Sequence, residues 1–444
     1  MTDVTVYTEA SAAFFDGRPP YEVMNPRGWR YLYPPLFALL IAPLTWFDTR
    51  SQVGLWFAIS CVCSFGCFFE IRSLYRSLTF PKEPERAPQG SVLRRAGFWI
   101  GVAAALVVLP PMVRDLQRGQ LGMLLLYLLL LGLRLVLTSR AAGTTWLGGI
   151  VLALPVVFKV YPIGPVAGLA LALWFTVARS TTRRTALAAA SRLTGGLALG
   201  AVLFVFVIPS FMIGWRANLH HLSTWASIVP IASERNERMH IYPTTPNNQS
   251  LRNAAYWLKA SIEGKRRAFL GRAERELARD RALNQFAISA RWVALGLFAI
   301  CCVSLARRDD RLNIATLFGL ACTLPLIISP IAWTHYHSLL LPAAVFTPLW
   351  FLGRQRPTLA VLFAASLVVL TWSHQLAYPW AAKLGGLGVG LAVWYVLAAI
   401  MMTIVAHTCR IGPERTSSNG SIPAPHFALL GERATLTQAR PHAR

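Results

Sequence analysis

Residues 121–138 read LGMLLLYLLLLGLRLVLT, eighteen positions carrying one charge, at Arg134. A helix on a soluble protein keeps a polar face, whereas this run is apolar all round and close to the ~20 residues needed to cross bilayer hydrocarbon. The stretch therefore reads as a membrane span, and it decides the fold class. Working outward, similar runs lie at 53–71, 96–113, 146–160, 163–177, 193–213, 286–306, 312–333, 338–352, 358–373 and 385–406, which makes eleven. The expected architecture is an all-α polytopic transmembrane helix bundle. Only Tyr161-Pro162 divides the fourth and fifth runs, so one kinked span is the rival reading there. Residues 36–47 are apolar but short and hold Pro43; they read as an interfacial or re-entrant helix.

Composition agrees. Of 444 residues, 55% are hydrophobic and only 14% charged, too few charges for a water-facing surface. The net charge of +24 first suggests a nucleic-acid partner. The basic residues lie in loops and the tail, however, where membrane orientation and anionic headgroups account for them, so no nucleic acid is expected. The seven cysteines show no zinc spacing and read as small core residues.

Arginine and lysine set the orientation, because cytoplasmic loops carry their excess. Arg72, Arg76, Lys82, Arg86, Arg94 and Arg95, then Arg179, Arg183, Arg184 and Arg192, then Arg307, Arg308, Arg311, Arg354 and Arg356 all fall on one side. The tail, 407–444, joins them and is rich enough in Ser, Pro and Gly to read as disordered. Facing outward are 114–120, the long loop 214–285 with a surface helix at 264–283, 333–337 and 374–384. Eleven spans with an inner C-terminus leave Met1 outside, so a twelfth, N-terminal span is expected upstream of Asp3. The unit at 1–406 is then one bundle, with 1–52 an outer loop.

The polar residues gather at the outer ends of the spans. Ionisable groups at membrane depth are costly and tend to mark function. Asp3 is the carboxylate best placed to take a proton from a hydroxyl. Glu9, Asp16 and Asp115 are its rivals, and a helix N-cap is the structural alternative. Lys159, in Phe158-Lys159-Val160-Tyr161-Pro162, would neutralise a phosphate or snorkel to the interface, and Arg118 has the same two readings. His335 and His337 would hydrogen-bond a phosphate or a sugar, hold a metal or anchor the interface; their spacing is not that of helical zinc ligands.

Asp3-x-x-x-Tyr7, Asp16-Gly17-Arg18-x-x-Tyr21 and Leu32-Tyr33-Pro34-Pro35-Leu36 with Pro43-Leu44 resemble the first outer loop of glycosyltransferase family 87. These are polyprenyl-phosphate-mannose-dependent mannosyltransferases of the GT-C superfamily. Gly119-Gln120, Lys159-x-Tyr161-Pro162, Asn248-Gln249-Ser250-Leu251 and Ser329-Pro330-x-x-Trp333-x-His335 follow in the family's order. Thr334 and Leu121-Gly122 depart from it, standing where an acidic residue and Val-Asn are common.

The resemblance implies a GT-C bundle in a bacterial plasma (inner) membrane, its active site facing outward. It implies Asp3 as the base and a polyprenyl-phosphate sugar, mannose first among hexoses, as donor to a lipid or glycan hydroxyl with inversion. The donor is expected at Lys159, His335, Arg118, Gln120, Tyr33, Asn248, Gln249, Arg252 and His337, amid membrane lipids. Phosphate leaves readily, so neither cofactor nor metal is called for. A lipid or small-molecule transporter and an inactive lipid-sugar binding protein are the competing readings.

Overall fold

A computed structural model describes residues 3–25, 28–79, 87–138, 141–179, 183–235, 281–305, 311–329 and 332–376, together with 248, 250–253, 255 and 404. Among these there are fourteen α-helices and no strand beyond two isolated bridges, so the chain is an all-α membrane protein. The helices are α1 (Val4–Phe15), α2 (Pro35–Leu40), α3 (Thr49–Thr79), α4 (Ala87–Arg118), α5 (Gly122–Thr138), α6 (Ala142–Phe158) and α7 (Ile163–Arg179). They continue with α8 (Arg183–Val202), α9 (Ile208–Ile213), α10 (Trp215–Arg235), α11 (Arg281–Leu305), α12 (Arg311–Ile328), α13 (Leu340–Leu352) and α14 (Pro357–Leu376).

By length and composition, Thr49–Thr79, Ala96–Arg118, Arg183–Ile213, Asn284–Leu305 and Arg311–Ile328 are able to cross a membrane. α5, α6 and most of α7 and α14 are shorter apolar helices. The fourth and fifth expected spans are separate helices, α6 and α7. The expected span 312–333 ends at Ile328; Ser329, Ala332 and Trp333 lie outside the helix. Residues 340–351 are buried at every position, so α13 is a core element of the bundle and presents none of these side chains to lipid. The expected span 385–406 lies outside the described residues except for buried Ile404, as do the tail 407–444, Gln249 and nearly all of 264–283.

Two packing devices hold the bundle. α6 lies against α8 so closely that a Cβ on Gly149 would meet the Leu193 carbonyl at 2.5 Å, and one on Gly196 would meet the Trp146 carbonyl at 2.3 Å. Lipid gives helices little hydrophobic reason to associate, so close backbone approach through small residues supplies dispersion contact instead. Between α3 and α5, the Arg134 guanidinium pairs with the Glu70 carboxylate, with Nη2 to Oε1 at 3.4 Å. Each charge makes the other tolerable away from water.

A second cluster of buried side chains forms at one end of the bundle. It joins α1 and α2 to Trp56 of α3, Leu121 and Leu125, and Val157 and Phe158 of α6. Phe37 is its hub, with ring centroids 5.2 Å from Tyr7, 5.7 Å from Trp56 and 5.4 Å from Phe158. Residues 36–47 split at this point. α2 is buried except at Leu40, whereas the 3-10 helix Ala42–Trp46 that follows has no buried residue and ends on Trp46, 81% exposed. α10 leans on the same cluster, its Trp225 indole N–H donating to the Leu32 carbonyl at 3.2 Å.

Candidate active site

The site is built where the start of α1, the end of α4 and the end of α6 meet. Asp3 is the residue preceding α1, and its carbonyl accepts from Val6 N–H at 3.0 Å. Its carboxylate makes no cap hydrogen bond to that helix, so the N-cap alternative accounts for the backbone alone. The Asp3 N–H instead donates to the Arg118 carbonyl at 2.7 Å, tying the N-terminal segment to the end of α4.

α4 ends in a tight turn. Gly119 has φ 65, a left-handed conformation that favours glycine, and Gln120 N–H donates to the Asp115 carbonyl at 3.0 Å. The Asp115 carboxylate reaches over the turn and accepts from Gly122 N–H at 3.0 Å and Met123 N–H at 3.1 Å. A buried carboxyl group thereby meets the open amides and positive dipole end of α5.

Gln120, buried on this turn, donates through Nε2 to Asp3 Oδ2, while its Oε1 accepts from Lys159 Nζ at 3.2 Å. Lysine only donates and a carboxylate only accepts, so the carboxamide has one consistent orientation. Residues 3, 120 and 159 thus form one chain of polar contacts.

Lys159 follows α6 in extended conformation, φ −157 and ψ 119. Its ammonium is buried among three tyrosine rings, 4.9 Å from the Tyr33 centroid, 5.6 Å from Tyr161 and 4.8 Å from Tyr336. Ring faces attract a cation and partly replace the water it has lost. Tyr161 and Tyr336 stack at 4.7 Å.

His335 stands edge-on to Tyr336 at 4.8 Å, on the 3-10 turn Thr334–Leu339. It is 2% exposed, and among the described residues neither ring nitrogen has a hydrogen-bond partner; the buried Tyr161 hydroxyl has none among them either. Burial, then the nearby Lys159 and Arg118 charges, hold His335 well below the usual histidine value, so its ring is neutral. Buried polar groups are normally satisfied, and such a cluster of orphans beside a cation has the character of an anion site.

The turn bearing His335 is stapled from outside. Asn248 Oδ1 accepts from Ser250 N–H and Ala332 N–H, each at 3.0 Å, and Asn248 bridges to Trp333. Asn253 Nδ2 adds a bond to the Asn248 carbonyl at 2.5 Å.

Asp3, Gln120, Lys159, Tyr33 and His335 therefore come together. The Arg118 side chain is half-buried, and it and His337 act electrostatically on His335. Asn248 engages backbone behind that turn, Arg252 is half-buried on the segment it anchors, and Gln249 lies outside the described residues. Of the rival carboxylates, Glu9 is exposed, Asp16 pairs with Arg18 at the surface at 3.0 Å, and Asp115 is taken up by the α5 amides. His221 packs on Phe14 at 4.9 Å, on the α10 side.

Sequence reasoning missed the ring cage of Tyr161 and Tyr336 and the turn-holding part of Asp115. Their signal was adjacency, Tyr161-Pro162 beside Lys159 and Tyr336 between two histidines. Among the described residues no group of three His, Cys, Asp or Glu side chains is placed to hold a metal. The arrangement sets a carboxylate able to take a proton within two contacts of a buried cation able to hold an anion.

Residues 31–330 match Glycosyltransferase family 87. The chain is similar to a polyprenol-phosphate-mannose-dependent alpha-(1-2)-phosphatidylinositol mannoside mannosyltransferase of Mycobacterium tuberculosis, 25% identical over 95% of this chain and 89% of that protein. A protein of the same description from Mycolicibacterium smegmatis is 23% identical over 90% of this chain and 82% of its own length. No solved structure matches.

Proposed function

The chain belongs to glycosyltransferase family 87, and from that premise we propose that it transfers mannose from polyprenyl-phosphate mannose to a glycolipid hydroxyl at the outer face of a bacterial plasma membrane. The donor and the glycolipid class of acceptor rest on the mycobacterial relatives, whose names specify polyprenol-phosphate-mannose and a phosphatidylinositol mannoside. The observation that carries the mechanism is the chain Asp3–Gln120–Lys159, which sets a carboxylate beside a buried ammonium from three distant parts of the sequence.

Asp3 accepts the proton of the acceptor hydroxyl as its oxygen attacks the anomeric carbon. Attack comes from the side opposite the phosphate, so the C–O bond to phosphate breaks as the new glycosidic bond forms, with inversion. Negative charge gathers on the departing phosphate. Lys159, neutral His335 donating through one ring N–H, and Arg118 meet it there; preorganised donors of this kind are worth ~2.7 to 4 kcal/mol each. Tyr33 and Tyr161 border the same anion site. Arg252 and His337 complete the donor side, and Asn248 acts through the turn that carries His335.

The test is Asp3→Asn with radiolabelled polyprenyl-phosphate mannose and a phosphatidylinositol mannoside fraction. Transfer is expected to vanish while donor binding persists; turnover retained by the variant would reject Asp3 as the base.

A further inference from the structure

Gln120 was expected to touch the donor, yet both ends of its carboxamide are already used, one on Asp3 and one on Lys159. We infer that Gln120 is a positioning residue, a neutral bridge that keeps the base and the phosphate-holding cation apart yet fixed to each other. The inference rests on the reading of Asp3 as base.

The physical case begins with what a direct ion pair would do. Asp3 and Lys159 in contact would satisfy each other, leaving a weaker base and an ammonium less available to an incoming phosphate. A carboxamide between them spends one of the ammonium's three donors and one of the carboxylate's acceptor sites. Each group keeps its charge, and both keep their place. Only an uncharged side chain with a donor and an acceptor can serve both ends; Glu would repel Asp3 and Lys would repel Lys159.

The bridge is also held. Its backbone N–H is bonded to the Asp115 carbonyl, the preceding Gly119 is in the left-handed region, and the following turn is gripped by the Asp115 carboxylate. The side chain is 6% exposed, so its rotamer is fixed by packing. The charged and ionisable groups around this bridge are Tyr7 on α1, Tyr33 before α2, Asp115 and Arg118 on α4, Lys159 and Tyr161 after α6, and His335 and Tyr336 on the 3-10 turn. Gln120 touches both Asp3 and Lys159 through a single uncharged side chain.

Gln120→Glu and near-isosteric Gln120→Leu separate the roles. Each variant is first checked for a wild-type elution profile in detergent, then assayed for transfer across pH with polyprenyl-phosphate mannose and a phosphatidylinositol mannoside fraction. Both are expected to lose about ten- to a hundredfold in kcat while the donor KM stays within about threefold. Gln120→Glu keeps the Lys159 contact but sets a second carboxylate against Asp3. The acidic limb of its pH–rate profile should move up by about a unit, a shift Gln120→Leu does not share. A raised donor KM with intact kcat would make Gln120 a direct donor contact and overturn the bridge. So would an unchanged kcat in Gln120→Leu together with an unmoved profile in Gln120→Glu. Asp3→Asn run alongside keeps the two readings apart: an active Asp3→Asn rejects the base itself, whereas an inactive one beside wild-type-like Gln120 variants rejects the bridge alone.

Discussion

Asp115 and Gly122 are so close that a Cβ on Gly122 would lie 2.3 Å from Asp115 Oδ1, the same oxygen that accepts the Gly122 N–H at 3.0 Å. The carboxylate grips the backbone where a side chain would otherwise be. Gly122→Ala must push the carboxylate off or shift the turn, at a cost of about 1–3 kcal/mol. Asp115→Asn turns one acceptor into a donor facing a backbone N–H, with a similar penalty. Both variants should lose at least about tenfold in transfer, because Gln120 rides on that turn. Thermal unfolding in detergent and a transfer assay read the two effects; unchanged activity in both variants would detach this turn from the site.

Lys159 is predicted to govern the donor. Lys159→Met fills a similar volume without the charge, so donor affinity should fall about ten- to a hundredfold through loss of a charge-assisted contact. Lys159→Arg keeps the charge but puts a wider planar group among three rings within 6 Å, and should restore little. Donor titrations at saturating acceptor make the comparison. Undiminished affinity in Lys159→Met would place the phosphate elsewhere.

The all-α class was legible because long apolar runs have few other physical uses, and residues 122–138 fold as the helix they suggest. Lys159 stood out as a charge interrupting such a run, His335 as a polar group at the end of one, and Asp3 as the best-placed carboxylate of the polar segment before the first. α1 and α10 did not stand out. α1 buries Thr5, Thr8, Ser11, Ala10 and Ala13 beside Val4, Val6, Tyr7 and Phe14, a mixture with no apolar period to read. The bridging of Gln120 was beyond reach for another reason. It depends on which atoms of residues 3 and 159 face the end of α4, a tertiary fact that neither spacing nor composition encodes. Asn248 is the same case, a polar residue near a motif histidine whose oxygen engages backbone.

His335 should leave a mark on stability. Its folded-state value is depressed, first by burial and then by Lys159 and Arg118, so the unfolded chain takes up its proton before the native state does. Falling pH therefore favours unfolding once it passes below about 6.5, by at most about 1.4 kcal/mol per pH unit for this one group. His335→Gln has no such proton to bind. Its unfolding temperature should fall less steeply than wild type between about pH 7 and pH 5, a window around the ordinary histidine value. Parallel slopes in the two proteins would mean that His335 takes up its proton as readily in the native state as in the unfolded chain.

Asn248 separates donor contact from support. Its Oδ1 takes the N–H groups of Ser250 and Ala332, and its carbonyl takes Asn253 Nδ2, so the residue ties Ser250 and Asn253 to the stretch of chain leading into the turn that bears His335. Asn248→Ala leaves two buried N–H groups without an acceptor, each costing about 1–3 kcal/mol. Asn248→Asp keeps an acceptor oxygen for both, and donor N–H groups suit a carboxylate well. If the staple is what matters, the Asp variant should recover most of the stability and activity that the Ala variant loses, and the lost activity should appear in kcat and donor KM together as His335 drifts. A direct sugar contact through the carboxamide N–H would give the opposite result, since aspartate removes that donor. Equal loss of activity in both variants, with unfolding temperatures near wild type, would therefore move Asn248 out of the supporting role and into contact with the donor.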